Sequence, residues 1–211
     1  MAKAAASGTS KASSPRGGGY DPVRTRAALL ESALDLFGNK GFAGTSLDEI
    51  TSRAGVTKGA FYHHFQSKED LLRLIHDEFV DYELVAMRRT LASTNDPAEQ
   101  LVELLREFMR SVELYRDNVR VFFQERRYLT GDRFAAVKAK RDEFDQMFYG
   151  VIRRGVEQGM FRRDIDPRVA SFGILGMCGW SHHWFEPGGR QTSTQVADVF
   201  AEMVLAGLRA D

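Results

Sequence analysis

The chain has 211 residues, of which 43% are hydrophobic and 27% are charged, a balance typical of globular proteins. Lysine and arginine together number 29, as do aspartate and glutamate, which excludes a protein that coats nucleic acid by bulk positive charge. The single cysteine, Cys178, excludes an internal disulfide, and no apolar run approaches the roughly 18 residues that cross a bilayer. Because the first residues also lack the apolar core of a secretory signal, we expect a cytoplasmic protein without a membrane partner.

The first twenty residues differ in composition from the rest of the chain. Residues 1–20 are rich in Ala, Ser, Gly and Lys, show no apolar periodicity and contain no acidic residue. This composition predicts a disordered basic arm. Such an arm is either a solvated tail or a segment that reaches DNA beside the main contact.

From residue 21 onward, apolar residues recur at helical spacing, which predicts an all-α protein of about nine helices. Each predicted helix opens on a capping residue: an Asp-Pro pair, a Ser with an acidic residue three positions later, or a Thr. The predicted openings are Asp21, Ser46, Thr57, Ser67 paired with Asp70, Asp96, Thr130, Asp166 and the stretch 192–194. Predicted breaks lie at Gly41, near Asp117, at Gly159 and at the Pro187-Gly188-Gly189 run.

The tight turn at 54–57, between two short predicted helices, indicates a helix-turn-helix. Gly55 permits a positive φ at the turn, and Val56 fills the gap between the helices. The second helix of such a unit lies in the major groove with its first turn nearest the bases. We expect Phe61 and Phe65 to face inward, since they are four residues apart, and Tyr62 to face outward.

A family signature covers residues 41–72, which read GFAGTSLDEITSRAGVTKGAFYHHFQSKEDLL. This stretch resembles the N-terminal signature of TetR-type transcriptional regulators. The preceding stretch, RTRAALLESALDLFGNKGF, resembles the first helix of that family. The resemblance implies a helix-turn-helix DNA-binding domain at 21–67 and a larger helical ligand-binding and dimerisation domain at 68–211.

The same resemblance implies a homodimeric repressor that leaves a double-stranded DNA operator, a palindrome, when a hydrophobic effector binds; no cofactor is expected. The implied DNA-binding residues are Arg24, Thr45, Ser46, Thr57, Lys58, Gly59, Ala60, Tyr62, His63 and Lys68. Thr45 and Lys68 are expected to hold phosphates, Thr45 through its hydroxyl. Many relatives carry a hydroxyl residue in place of Ala60, so a polar base contact is not implied there.

The adjacent pair His63–His64 raises the alternative of a metal site. Adjacent residues on a helix point about 100° apart, so these two imidazoles cannot easily share one ion. No second pair with ligand spacing lies nearby in the sequence, and we predict no metal.

The C-terminal half is rich in aromatic residues and methionine, which form either an ordinary core or the lining of an apolar ligand site. The candidate ligand-binding residues are Phe108, Tyr115, Phe122, Phe123, Met147, Phe148, Met177, Trp180 and Trp184. The stretch 172–190, FGILGMCGWSHHWFEPGGR, resembles the C-terminal helix of TetR-type regulators that answer acyl-CoA thioesters. The resemblance implies an acyl-CoA effector; a drug or another apolar metabolite is the alternative.

Three glycines at three-residue intervals in that stretch indicate either the close approach of a partner helix or room for a ligand, since each glycine costs about 1 kcal/mol in a helix. We predict that the last two helices pair with those of a second copy. The predicted dimer-interface residues are Phe172, Leu175, Gly176, Gly179, His183, Val199 and Met203.

A rival hypothesis is a small helical enzyme with Cys178 as nucleophile and His182, four residues later, as base. The pair lacks an orienting acid at readable spacing, so no catalytic residue and no enzyme activity is predicted.

Overall fold

A computed structural model describes residues 21–210; the predicted basic arm lies outside this range. Within the range the chain forms nine α-helices and two single-turn 3₁₀ helices at Arg126–Tyr128 and Ser181–His183. The α-helices are α1 Pro22–Gly44, α2 Leu47–Arg53, α3 Lys58–His64, α4 Lys68–Ser93, α5 Pro97–Leu114, α6 Arg116–Glu125, α7 Gly131–Glu157, α8 Pro167–Trp180 and α9 Ser193–Leu208. One antiparallel bridge pairs Phe161 with Arg209. The all-α prediction is confirmed for the described residues.

The three Asp-Pro pairs begin helices as predicted. The carboxylates of Asp21, Asp96 and Asp166 each accept hydrogen bonds from two backbone N–H groups in the first turn, at 2.7–3.1 Å. These N–H groups have no partner within the helix, so each aspartate satisfies donors that would otherwise need water. The proline that follows each cap has no N–H to satisfy.

The predicted capping box of Ser67 and Asp70 is wrong. Ser67 precedes α4, but its side chain makes no capping bond. Arg133, from the start of α7, donates to Asp70 Oδ1 at 2.7 Å and to Ser67 Oγ at 3.3 Å. Asp70 Oδ2 still accepts from the local Gln66 N–H at 2.9 Å, while Arg133 joins Ser67 and Asp70 and fastens the start of α4 to α7.

Two predicted breaks also fall elsewhere. The break expected near Asp117 occurs at Tyr115, which lies between α5 and α6. Helix α8 ends at Trp180, well before the Pro-Gly-Gly run. Ser181 Oγ donates to the Cys178 carbonyl at 2.5 Å, and His182 Nδ1 lies 2.5 Å from the Gly179 carbonyl. Because these side chains bond to carbonyls in the last turn of α8, the helix ends there.

Helices α1–α3 form an N-terminal unit, and α4 leads from it into a bundle of α5–α9. Within the bundle α5 packs on α9, and α7 packs between α4 and α8. The N-terminal unit contacts the bundle through α1 and α6. A side chain at Gly38 would come within 2.9 Å of the Arg120 guanidinium, and Phe42 stacks on Tyr128 with ring centroids 4.9 Å apart. A single hydrophobic core runs through both parts.

Candidate nucleic-acid interface and interior site

Helix α2 is held by a complete capping box. Ser46 Oγ accepts from the Glu49 N–H at 3.2 Å, and a Glu49 carboxylate oxygen accepts from the Ser46 N–H at 2.8 Å. Lys40 also pairs with Glu49. The hydrogen bond from Lys40, followed by those from Ser46, lowers the pKa of Glu49 to about 2. The start of α2 is therefore fixed before any DNA is bound.

The turn between α2 and α3 has the backbone geometry that the sequence predicts. Gly55 has φ +67°, a conformation that other residues adopt only with strain. Its N–H donates to the Ser52 carbonyl at 3.1 Å, and the Val56 N–H donates to the Thr51 carbonyl at 3.0 Å. This geometry sets the angle at which α3 leaves α2.

Helix α3 has one buried face and one exposed face. Thr57 Oγ1 accepts from the Ala60 N–H at 3.2 Å and so caps the helix. Phe61 and Phe65 are buried with ring centroids 5.5 Å apart, which confirms their predicted inward orientation. The exposed face carries Lys58, Gly59, Tyr62 and His63. Tyr62 is 61% exposed, and its ring meets the buried Phe61 ring edge-on with the centroids 5.3 Å apart.

Lys58 is already paired in the unbound protein. Its Nζ lies 2.6 Å from Asp48 Oδ1, and both side chains are more than half exposed. The hydrogen bond that the Lys58 ammonium donates to Asp48 raises the pKa of Lys58, which is therefore charged at neutral pH. A DNA phosphate near this position competes with a single exposed carboxylate.

Two expected phosphate contacts have internal partners instead. Thr45 is only 2% exposed, and its hydroxyl donates to the Gly41 carbonyl at 2.8 Å. Lys68 Nζ donates to the Phe42 carbonyl at 2.8 Å and to the Thr45 carbonyl. Both side chains satisfy carbonyls at the end of α1, where the helix leaves acceptors unpaired. Ser46 and Arg24, by contrast, are exposed.

The predicted ligand-binding residues fall into an interior group and a surface group. Phe108, Phe122 and Phe148 are buried, and Tyr115, Phe123, Met147 and Met177 are partly buried. Trp180 and Trp184 lie on the surface of the single chain, 63% and 46% exposed, because α8 ends at Trp180. The four-residue spacing of the two tryptophans predicts that they share one side of a helix, but Trp184 lies beyond the end of α8, so this prediction is wrong.

The last two helices carry an exposed apolar face. Its large side chains are Val169, Phe172, Trp180, Val199 and Met203, between 47% and 67% exposed. Gly173 and Gly176 have open space where a Cβ would stand, so the surface of α8 is open to a close neighbour. Gly179 does not belong to this face: it is buried, and its Cβ position is 3.8 Å from Phe123. Leu175 is partly buried and His183 is exposed.

Four polar residues that the sequence analysis did not single out lie in the bundle interior. His76, Glu83 and Ser111 have no exposed surface, and Arg141 is mostly covered. One signal was readable: Phe79, Glu83 and Met87 follow one another at four-residue spacing. A carboxylate in an apolar helical stripe is the feature that could have identified the site.

The cysteine–histidine pair is not arranged for catalysis. Cys178 is buried, and burial raises the pKa of its thiol far above the usual range. His182 Nδ1 is bonded to the Gly179 carbonyl, and its Nε2 has no partner among residues 21–210. The same residues contain no group of three His, Cys, Asp or Glu side chains placed to hold a metal ion. In that range no helix is long and apolar enough to cross a membrane.

A short capped helix with exposed Lys58 and Tyr62, set by a glycine turn against a second capped helix, defines a helix-turn-helix DNA-binding protein. Residues 29–75 match the family model of bacterial regulatory proteins of the tetR family, and residues 94–208 match that of the tetracyclin repressor-like C-terminal domain.

Among curated proteins, the transcriptional repressor KstR2 of Rhodococcus jostii is 32% identical over 87% of this chain and 90% of its own length. The solved structure of the ketosteroid transcriptional regulator KstR2 of Mycobacterium tuberculosis has a TM-score of 0.80 and 29% identity, and the match covers 88% of this chain and 95% of that one. AibR in complex with isovaleryl coenzyme A and operator DNA has a TM-score of 0.74 at 32% identity, over 85% of this chain and 97% of AibR. The chain belongs to the tetR family and is a helix-turn-helix transcriptional repressor with a ligand-binding C-terminal domain.

Proposed function

We propose that this protein works in the cytoplasm as a homodimer on a palindromic operator, and that an acyl-CoA thioester bound in the C-terminal domain releases it. The observation that carries the DNA-binding part is the exposed face of α3, where Lys58 and Tyr62 stand on a helix with a buried aromatic back. The remaining DNA-facing residues are Arg24, Ser46, Thr57, Gly59, Ala60 and His63.

The exposed apolar face of α8 and α9 supports the dimer. Apolar side chains this large are normally covered, and two copies related by a two-fold axis cover the same surface on each other. A dimer places two α3 helices about 34 Å apart, one turn of DNA, and so matches a palindrome. Trp180, on this face, then lies at the interface of two chains.

The bundle interior supports an effector with an apolar body. Phe108, Phe144 and Phe148 form a cluster with ring centroids 5.2–6.3 Å apart, between α5 and α7. The complex of the similar protein AibR with isovaleryl coenzyme A favours the acyl-CoA class over a drug-like molecule. Because α4 packs against both α5 and α7, an effector among them displaces α4.

The displacement reaches the DNA-binding unit through the start of α4. Lys68, its first residue, is bonded to the Phe42 and Thr45 carbonyls at the end of α1. Movement of α4 therefore changes the spacing of the two α3 helices. A coupling free energy of about 1–3 kcal/mol is enough for 5- to 150-fold regulation.

Fluorescence anisotropy with the DNA upstream of the protein's own gene tests the DNA-binding part. Lys58→Ala should weaken binding and lower the salt dependence by about one phosphate contact. Lys138→Ala is the matched control, because Lys138 is equally exposed and also paired with one aspartate, Asp142. Equal affinities for the two variants would refute the assignment of α3.

The effector is tested on the same complex with isovaleryl-CoA, longer acyl-CoAs, the free acids and CoA alone. Release by acyl-CoAs but not by CoA supports the proposal. Release by free acids alone identifies another apolar effector, and no release by any of them contradicts effector control by this class.

A further inference from the structure

Glu83 and Ser111 are fully buried and face each other across α4 and α5 in the bundle interior. Among residues 21–210, no group has hydrogen-bond geometry to either carboxylate oxygen of Glu83 or to the Ser111 hydroxyl. The nearest cation is Arg141 on α7, whose Nη1 lies 3.9 Å from Glu83 Oε2, beyond hydrogen-bond distance.

Such a group is expensive to keep for structural reasons alone. The buried Glu83 carboxyl loses its hydration, and the Arg141 charge 3.9 Å away together with Ser111 offsets only part of that loss, so an apolar residue of similar size would make the bundle more stable. Burial raises the pKa of Glu83 from 4.5 to about 7, although Arg141 and Ser111 oppose that rise. A polar group that costs stability is typical of a site that acts on a ligand.

The polar groups lie at the edge of the aromatic cluster. The Arg141 guanidinium carbon stands 4.8 Å above the centroid of the Phe144 ring, and Phe144 packs on Phe108 and Phe148. An apolar wall with a few convergent polar groups is the usual composition of a small-molecule site. Met87 and Met109, fully buried on α4 and α5, supply unbranched side chains that repack around a bound molecule.

The charges select the chemistry of the bound group. A cation near Glu83 would be repelled by Arg141, and an anion near Arg141 would be repelled by Glu83. A neutral hydroxyl suits both, because it donates one hydrogen bond and accepts another. Two atoms 3.9 Å apart can both be reached by one oxygen at about 2.8 Å from each.

We propose that Glu83, Ser111 and Arg141 bind a neutral hydroxyl group on the apolar skeleton of the effector. The hydroxyl donates to Glu83 and accepts from Arg141 or Ser111. The inference rests on the proposed function, since it names the chemical group of the effector that is recognised at the interior end of the effector site.

The test compares three ten-carbon probes with the same apolar tail: 1-decanol, decanoate and decylamine. Their dissociation constants for the full-length protein are measured by titration calorimetry at pH 8. The wild type should bind decanol at least tenfold more tightly than the acid or the amine. Tighter binding of either charged probe would overturn the assignment.

Glu83→Gln and Ser111→Ala then locate the preference, with Glu143→Gln on the exposed side of α7 as control. The two interior variants should lose the tenfold preference for decanol, and the control should keep it. Glu83→Leu should also raise the melting temperature of the unliganded protein. A preference that persists in both interior variants would show that these groups are structural, and Ser111→Ala keeps the test open if a Glu83 variant does not fold.

The result is separable from the proposed function. If acyl-CoAs release the operator but the protein does not prefer decanol to the charged probes, only the proposal of a hydroxyl site is refuted. If decanol is preferred through Glu83 and no effector releases the operator, the site stands and effector-controlled release fails.

Discussion

The polar groups of the N-terminal unit contrast with two buried polar groups of the bundle. In the N-terminal unit the Ser46 and Thr57 hydroxyls cap α2 and α3, Lys68 at the start of α4 donates to carbonyls at the end of α1, and Lys58 and Tyr62 are exposed. In the bundle, Glu83 and Ser111 are enclosed and have no bonded partner among the described residues. The first region is therefore pre-formed, whereas the second holds the polar groups that we propose bind a hydroxyl group of the effector.

The nature of each partner explains the difference. DNA is large, charged and hydrated, so a rigid surface that competes with water is sufficient to bind it. A small apolar molecule must be enclosed to gain from burial, and its few polar atoms then need partners inside the protein. The fold joins the two regions at α4, whose first residue caps α1 and whose middle carries Glu83.

The largest effect is expected when the two copies of the dimer are separated. Phe172→Glu combined with Met203→Glu places charges on the apolar face of α8 and α9 and should make the protein monomeric. Because the two α3 helices then bind independently, operator affinity should fall by about 100- to 10,000-fold. Sedimentation and anisotropy measure the two effects. Phe134→Glu, on α7 and half exposed, is the control; a double variant that remains dimeric would contradict this interface.

A smaller effect is expected from the exposed face of α3 alone. Tyr62→Ala should weaken operator binding by about 1–3 kcal/mol, roughly 5- to 150-fold, because one contact is lost. The melting temperature should stay within a degree or two, since the side chain is mostly exposed. Leu114→Ala, also more than half exposed but distant from α3, should leave affinity unchanged. An effect of Tyr62→Ala on stability alone would remove it from the interface.

Lys68 distinguishes a fold-stabilising cation from a DNA-binding one. Lys68→Met removes two hydrogen bonds to carbonyls at the end of α1 and should cost about 2 kcal/mol of unfolding free energy. Chemical denaturation measures this loss. The salt dependence of operator binding should not change; a slope lower by about one would restore the phosphate contact expected from the family resemblance.

The smallest effect is a pH dependence from His76. Burial, which outweighs the attraction of the Asp77 carboxylate 3.5 Å away, lowers the pKa of His76 below its ordinary value of 6.5. The unfolded chain then binds a proton at His76 more readily than the folded chain does. The contribution of His76 to the free energy of unfolding is therefore fully present above about pH 6.5 and declines as the pH falls below that value. His76→Leu should flatten this acidic decline in thermal unfolding curves, and an unchanged decline would assign it to other groups.

Local chemistry explains which parts of the fold were predictable from sequence. The three Asp-Pro starts, the Ser46–Glu49 box and the Gly55 turn involve residues within four positions of one another, so their geometry follows from the sequence. The Ser67–Asp70 box was wrong because Ser67 makes no capping bond and its hydroxyl instead accepts from Arg133, more than sixty residues away. The end of α8 was misplaced because Ser181 and His182 satisfy its carbonyls.

The candidate sites divide in the same way. Sequence by itself determined that α3 has an inner aromatic face and an outer face with Lys58 and Tyr62, because both follow from helical spacing. Only the tertiary structure decided that the Thr45 hydroxyl and Lys68 turn toward α1, that Trp180 lies on an exposed face, and that Glu83 meets Ser111 and Arg141. These outcomes depend on which helices pack together. Burial and long-range hydrogen bonding, which set the cost of each polar group, exist only once that packing is complete.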